Sequence, residues 1–360
     1  MNTITLQGKL GKSTLQVGVP LEKAQEYIED APCFVITDRT VRQLYGHRFP
    51  ENADIVEIGT GEPSKTLDTA VLIYERLMKA KADRSAFLFG IGGGIVCDIT
   101  GFVGSTYLRG IRFGFAPTTL LAQVDASVGG KNGVNLKGFK NIIGVFNQPE
   151  FVICDPSVLP SLGRREIACG ISEIIKNALI ADAELFEYLE RNAAKALAVQ
   201  PDIIGHLVYH SVRIKAMIVS RDETESGERR ILNFGHTLGH AIEKIGAIPH
   251  GEAVAMGMGL ATELSVQKGF LTHSEADRIS NLLTAYGLSH PVRIPSGELL
   301  SALDMDKKRI GAHLHFVLLK SIGKPLIHPL PLKDSDLVNV LQKTEPQISR
   351  TPYPMEQTAS

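Results

Sequence analysis

Apolar residues change their spacing about 160 positions into the chain, and the change separates two kinds of structure. Before it, short apolar runs alternate with stretches of helical period. CFVITD (33–38) and ADIVEIG (53–59) have strand length, whereas LDTAVLIYERLMKAKA (67–82) repeats its apolar residues at helical spacing and ends in basic residues. SAFLFGIGGG (85–94) is a further apolar run that leads into glycines. Strands alternating with helices predict parallel strands joined by crossover helices, a Rossmann-like sheet.

Beyond that point RREIACGISEIIKNALIADAELFEYLERNA and DIIGHLVYHSVRIKAMIVSRDE have the period of long amphipathic helices. ILNFGHTLGHAIEKIGAIPHGEAVAMGMG (231–259) continues the series, and strand patterns nearly vanish until HLHFVLLKSIG (313–323). The pattern therefore predicts an α/β domain over 1–160 and a mostly helical domain over 161–345. The end, EPQISRTPYPMEQTAS, is rich in Pro, Ser and Thr, so 346–360 is expected to be a disordered tail.

Composition narrows the function classes. The chain has 360 residues, 44% hydrophobic and 21% charged, with a formal net charge of −1. It offers no field to draw nucleic acid or an anionic membrane, so any positive potential must be local. Cys33, Cys97, Cys154 and Cys169 form no CxxC pair and sit in apolar company, which predicts reduced, buried thiols. MNTITLQGKLGKSTLQVGV lacks a basic start followed by an apolar core, and AFLFGIGGGIVC is too short and glycine-rich to span a bilayer. These features predict a cytoplasmic protein without nucleic-acid or membrane partners.

Two segments carry candidate chemistry. In the first, Arg229, Asn233, His236, His240 and Glu243 fall at relative positions 0, 4, 7, 11 and 14, one face of an α-helix. A solvated face is the plain alternative, but such faces are usually richer in lysine. His236 and His240 could share a metal as in HExxH sites, although Thr237 stands where that motif has glutamate. A third histidine, His250, follows Pro249 at a new helix start. Catalytic zinc typically takes three protein ligands and keeps one position open; spacing alone does not choose the three.

The second segment is 92–144. Gly92, Gly93 and Gly94 follow a strand and precede a helix, so backbone amides there can approach a pyrophosphate. The same glycines would equally make a tight structural turn, and they depart from GxGxxG. Downstream, Arg109, Asp125, Lys131, Lys140 and Asn141 lie among small residues, a composition that suits anion capture.

Taken together, GGGIVCDITGFVGSTYLRG, PTTLLAQVDASVGGKNGVN, FKNIIG, SEIIKNALI, RRILNFGHTLGHAIE, HGEAVAMGM and MDKK resemble the 3-dehydroquinate synthase family, within the wider sugar-phosphate cyclases. The resemblance runs from about residue 30 to 325. It departs at Leu136, where the family often has histidine, and at SEIIKNA, where it usually has AEVIKYG. The resemblance implies an NAD-binding α/β domain, a helical metal-binding domain and an active site in the cleft between them.

By the same resemblance Glu173, His236 and His250 would bind one divalent metal, zinc or cobalt, which moves His240 to a substrate-facing role. NAD would meet Asp38, Glu62, Lys65, Gly94, Ile95, Asp98, Thr118, Thr119, Lys131, Lys140, Leu159 and Ser161. Substrate would meet Arg109, Asp125, Asn141, Lys176, Lys215, Glu225, Arg229, Asn233, His240 and Lys307. The implied substrate is a small molecule, the phosphorylated keto-sugar acid 3-deoxy-D-arabino-heptulosonate 7-phosphate (DAHP). Its conversion to 3-dehydroquinate combines transient NAD-dependent oxidation, phosphate elimination, re-reduction and aldol closure, in a homodimer. Three rival readings share some of these features: a sister cyclase of neutral sugar phosphates, a metal-dependent polyol dehydrogenase and a non-catalytic scaffold. Arg229 and Asn233 suit a substrate carboxylate, and sister enzymes tend to change this pair.

Overall fold

A computed structural model describes residues 1–9, 11–289, 294–307 and 314–344. The chain forms two compact units, one of Met1–Leu232 and one from Asn233 onward. The first is α/β and the second mostly helical. The last strand of the sheet ends at Cys154 and the first long helix starts at Arg164, while the compact units divide between Leu232 and Asn233. Expectations for the 346–360 tail fall outside the described residues.

The sheet of the first unit has seven strands. In chain order these are β1 (Asn2–Gln7), β2 (Lys12–Val17), β3 (Cys33–Asp38), β4 (Asp54–Ile58), β5 (Phe87–Gly92) and β6 (Arg112–Pro117), with β9 (Phe151–Cys154) completing it. Their spatial order is β1-β2-β9-β6-β5-β3-β4. Every neighbouring pair is parallel except the β1–β2 hairpin. All six residues of FLFGIG in β5 are buried, as a parallel strand covered on both faces requires. Phe87 stacks on Phe151 at 5.3 Å between ring centroids in the core. The sheet's N-terminal hairpin carries no strong apolar run and is not predicted from the pattern.

Helices α1 (Gln25–Ile28), α2 (Arg39–Tyr45), α3 (Leu67–Lys79) and α4 (Gly94–Thr106) connect these strands. Between β6 and β9 the chain makes a π-helical turn, Ala122–Ala126, and a hairpin of β7 (Lys131–Leu136) and β8 (Phe139–Phe146). Lys137 and Gly138 join the two strands with φ of 48° and 80°, a two-residue turn whose twist matches a hairpin. Of the residues singled out in the segment 92–144, Lys131, Lys140 and Asn141 lie on this hairpin, Asp125 on the π-helical turn and Arg109 in the turn after α4.

Three further helices, α5 (Arg164–Ala181), α6 (Ala183–Leu197) and α7 (Pro201–Arg221), complete the first unit. The single helical pattern over 164–193 is broken at Asp182, whose extended backbone ends α5 while its carboxylate accepts from Leu185 N–H at 2.9 Å and caps α6. α7 packs against β1, β2 and the π-turn, which ties it to the sheet.

In the second unit, α8 (His236–Gly246) and α9 (His250–Gln267) pack closely, and α10 (His273–Ala285), α11 (Ser296–Lys307) and α12 (Ser335–Thr344) follow. The β10 (Leu314–Ser321) and β11 (Lys324–Leu330) hairpin lies on α9. The continuous helical face expected from Arg229 to Glu243 does not form. Glu228–Asn233 is a 3-10 turn, Gly235 has φ +79°, and α8 begins only at His236. All four cysteines are buried and unbridged, as expected. Burial pushes the thiols of Cys33 and Cys154 up to about 12, which leaves both inert at neutral pH. Among the described residues no helix is long and apolar enough to cross a membrane.

Candidate active site

At the carboxyl end of β5 the chain turns through Gly92 and Gly93 into α4. A side chain at Gly92 would lie 2.5 Å from Val96, so only glycine allows the turn to hug the helix. Gly93 caps α4 without a side chain, and Ile95 is half-buried on the first turn. Thr118 N–H donates to Gly92 O at 2.8 Å, and Thr119 Oγ accepts from Ala122 N–H at 3.2 Å. Orphan amides at such a helix start suit an anion.

One turn into α4, Asp98 forms an ion pair with buried Lys65, whose ammonium also donates to Asn141 Oδ1 at 2.5 Å. Asn141 sits at φ +51°, its N–H bonded to Asn135 Oδ1 at 2.8 Å, and Asn135 donates to Glu62 Oε1 at 2.7 Å. Glu62, Lys65, Asp98 and Asn141, predicted in two separate groups, therefore share one network. Asn135, which joins them, has no sequence signal of its own.

Burial pushes the Asp98 carboxyl up from 3.8 to about 6, against the pull of Lys65. A raised carboxyl favours the folded state below its ordinary value, and that contribution is lost as pH rises through 6. The part of the unfolding free energy that Asp98 contributes is expected to fall between pH 4 and 6, read by denaturant titration as the difference between wild type and Asp98→Asn. Asp98→Asn should remove this component of the slope; an unchanged slope would refute the assignment.

Other residues expected near the cofactor have local partners. Asp38 caps α2 by accepting from Val41 N–H at 3.0 Å. Leu159 is buried in the 3-10 turn Pro156–Ser161, and Ser161 Oγ donates to Val158 O at 2.9 Å. Lys140 is exposed on β8. Arg109, expected on the substrate side, is exposed at the opposite end of the 13-residue α4 from the glycine turn. At 1.5 Å per residue that is roughly 20 Å away.

A second cluster is built from charges. On α5, Glu173 and Lys176 are buried and paired at 2.5 Å. Asp125, on the π-turn, lies 3.9 Å from Lys176 and pairs with Lys215 of α7, whose ammonium also donates to Asp125 O at 2.7 Å. The four charges alternate in sign. Burial works against the Lys176 ammonium, but Glu173 and Asp125 outweigh it and raise its pKa. Burial lowers that of Lys215 despite Asp125. Asp125 itself is held low, its burial overcome mainly by Lys215.

Beside this cluster the chain loops back at 222–229. The Asp222 carboxylate accepts from the N–H groups of Ser226 at 3.0 Å, Gly227 at 2.7 Å and Arg229 at 3.0 Å. It thereby folds a loop in which Glu225 (φ +62°) pairs with Lys131. Buried Arg229 donates to Gly129 O at 3.0 Å and to Glu223 O. Asp222 is a loop-shaping residue that the sequence reading passed over; its signal is an aspartate followed by a serine and glycine four and five positions on.

In the second unit α8 and α9 bring three imidazoles together. Ring centroids of His236, His240 and His250 are 5.2, 5.4 and 5.9 Å apart. His236 and His250 each offer a ring nitrogen within 4.8 Å of the other. His236 Nδ1 lies 3.2 Å from Phe234 O, and His250 Nδ1 lies 2.8 Å from Glu243 Oε2. Both partners can only accept, so Nδ1 carries the proton and Nε2 keeps its lone pair. This is the tautomer a cation needs. The side chain of Lys307 lies outside the described residues.

Residues 55–169 match the 3-dehydroquinate synthase N-terminal family and residues 170–309 the 3-dehydroquinate synthase C-terminal family. The 3-dehydroquinate synthase of Dehalococcoides mccartyi (strain CBDB1) is 39% identical over 353 residues, covering 94% of this chain and 98% of its own length. Among solved structures, 2-deoxy-scyllo-inosose synthase complexed with carbaglucose-6-phosphate, NAD+ and Co2+ is similar at a TM-score of 0.86 and 25% identity, over 95% of this chain and 100% of that one. ValA, the 2-epi-5-epi-valiolone synthase of Streptomyces hygroscopicus subsp. jinggangensis 5008 with NAD+ and Zn2+ bound, gives 0.84 and 26%, over 96% and 99%. Fold and site thus define an enzyme of the sugar-phosphate cyclase class, acting on a small molecule. Within that class, the chain belongs to the 3-dehydroquinate synthase family.

Proposed function

We propose that the protein converts DAHP to 3-dehydroquinate and phosphate, using NAD and one divalent metal, zinc or cobalt. The observation that carries this reading is the family match, which spans both units on a chain that keeps the charge cluster and the histidines. Glu173, His236 and His250 would hold the metal; the two histidines fit it because their Nδ1 atoms already face acceptors. The glycine turn, Lys65 and Asp98 would hold the dinucleotide. When bound, NAD supplies a reversible hydride acceptor and the cation supplies Lewis acidity at the reacting hydroxyl.

The chain's own groups bind and orient the substrate. Lys176 and Lys215 sit in a buried cluster in which charge-assisted hydrogen bonds to phosphate or carboxylate are strong. Arg229, its guanidinium anchored on two backbone carbonyls, would present its remaining donors rigidly to a carboxylate. Such a fixed frame matters because the later ring closure needs one geometry. Cytoplasmic location and assembly as a homodimer, without membrane or nucleic-acid partners, belong to the same proposal; the net charge of −1 supports only the absence of nucleic-acid and anionic-membrane partners.

The test is incubation with DAHP, a trace of NAD+ and either metal. Phosphate and 3-dehydroquinate are expected in equal amounts with no net NADH. Phosphate without the carbocycle, or faster turnover of sedoheptulose 7-phosphate or glucose 6-phosphate, would overturn the proposal.

A further inference from the structure

We infer that Glu243 is a positioning residue for the metal centre, acting through His250. This rests on the reading of His250 as a ligand. Glu243 lies in the last turns of α8, and His250 is the first residue of α9, across a connection that turns at Ala247 (φ +48°) and Pro249. The Glu243 carboxylate accepts from His250 Nδ1–H at 2.8 Å, and its side chain is only 15% exposed. That bond fixes two things at once: the tautomer, by keeping the proton on Nδ1, and the ring's rotation about its bond to Cβ. A carboxylate behind an imidazole also raises the basicity of the far nitrogen.

His236 takes its support from a neutral carbonyl, Phe234 O. His250 therefore draws on a charged partner where His236 draws on the backbone, and only the former can be removed by mutation. The position seven residues before His250 was visible in the polar stripe, but a stripe cannot say which of its members face a ligand and which face another side chain.

Cobalt(II) affinity and its visible absorption spectrum, read on wild type, Glu243→Gln, Glu243→Ala and His250→Ala, test the inference without relying on turnover. Glu243→Ala should weaken cobalt binding by about 10–100-fold and shift the absorption band. Glu243→Gln, whose amide oxygen still accepts from Nδ1–H, should weaken it less, while its metal-free thermal midpoint stays at the wild-type value. His250→Ala separates the two layers of the argument. If it keeps wild-type affinity, the ligand reading itself fails. If it loses the metal while both Glu243 variants bind cobalt with wild-type affinity and spectrum, the role of Glu243 is overturned.

Discussion

Glu173→Gln is expected to lose bound metal and to lower kcat/KM by at least about a thousandfold, since Lewis-acid stabilisation is worth several kcal/mol and each 1.4 kcal/mol is a factor of ten. The substitution keeps the side chain's size at a position with no exposed surface on α5. It removes the charge, and with it the partner 2.5 Å from the Lys176 ammonium, which keeps Asp125 at 3.9 Å. Uncoupling a buried pair also costs stability, about 3–5 kcal/mol where no other partner remains. Activity is therefore compared on protein shown by circular dichroism to be folded at the assay temperature. Metal content by atomic emission gives the second readout. Stoichiometric zinc or cobalt together with near wild-type turnover in Glu173→Gln would remove this residue from the ligand set.

Three of the seven strands were legible as short apolar runs, and two of these are buried along nearly their whole length, whereas β6 and β9 were not read from the pattern. CFVITD and FLFGIG can be read from six letters each. The β1–β2 hairpin was not, because an edge hairpin alternates weakly and its pairing with β9 joins residues more than 130 positions apart. In the site, the histidines announce themselves by type and spacing, whereas their setting does not. Gly235 breaks the expected helix because a side chain there would lie 2.5 Å from Met258 and 2.8 Å from Val254 O, a constraint imposed by a helix twenty residues away. The same holds for Lys65, whose partners Asp98 and Asn141 are 33 and 76 residues distant. Residue types survive in a one-dimensional reading; partnerships made by the fold do not.

The closeness of α8 and α9 yields the second large effect. A Cβ at Gly257 would sit 2.0 Å from Gly235 O and 2.8 Å from Gly239 N, and one at Gly239 would sit 3.0 Å from Ala253 O. These are backbone atoms, which cannot rotate aside, so Gly257→Ala must push the helices apart. Overpacking of this kind costs typically 1–3 kcal/mol and more when the backbone has to move; about 3 kcal/mol is expected here. Because Gly235 directly precedes His236, the same displacement should weaken cobalt binding along with the fold. Gly259→Ala, two positions further along α9, supplies the opposite case. Among the described residues nothing lies within 4 Å of its Cβ, and replacing glycine by alanine inside a helix stabilises it by roughly 0.5–1 kcal/mol. Urea midpoints of the two variants should move to opposite sides of the wild type. A midpoint for Gly257→Ala at or above the wild-type value would mean that the helices do not depend on this backbone contact.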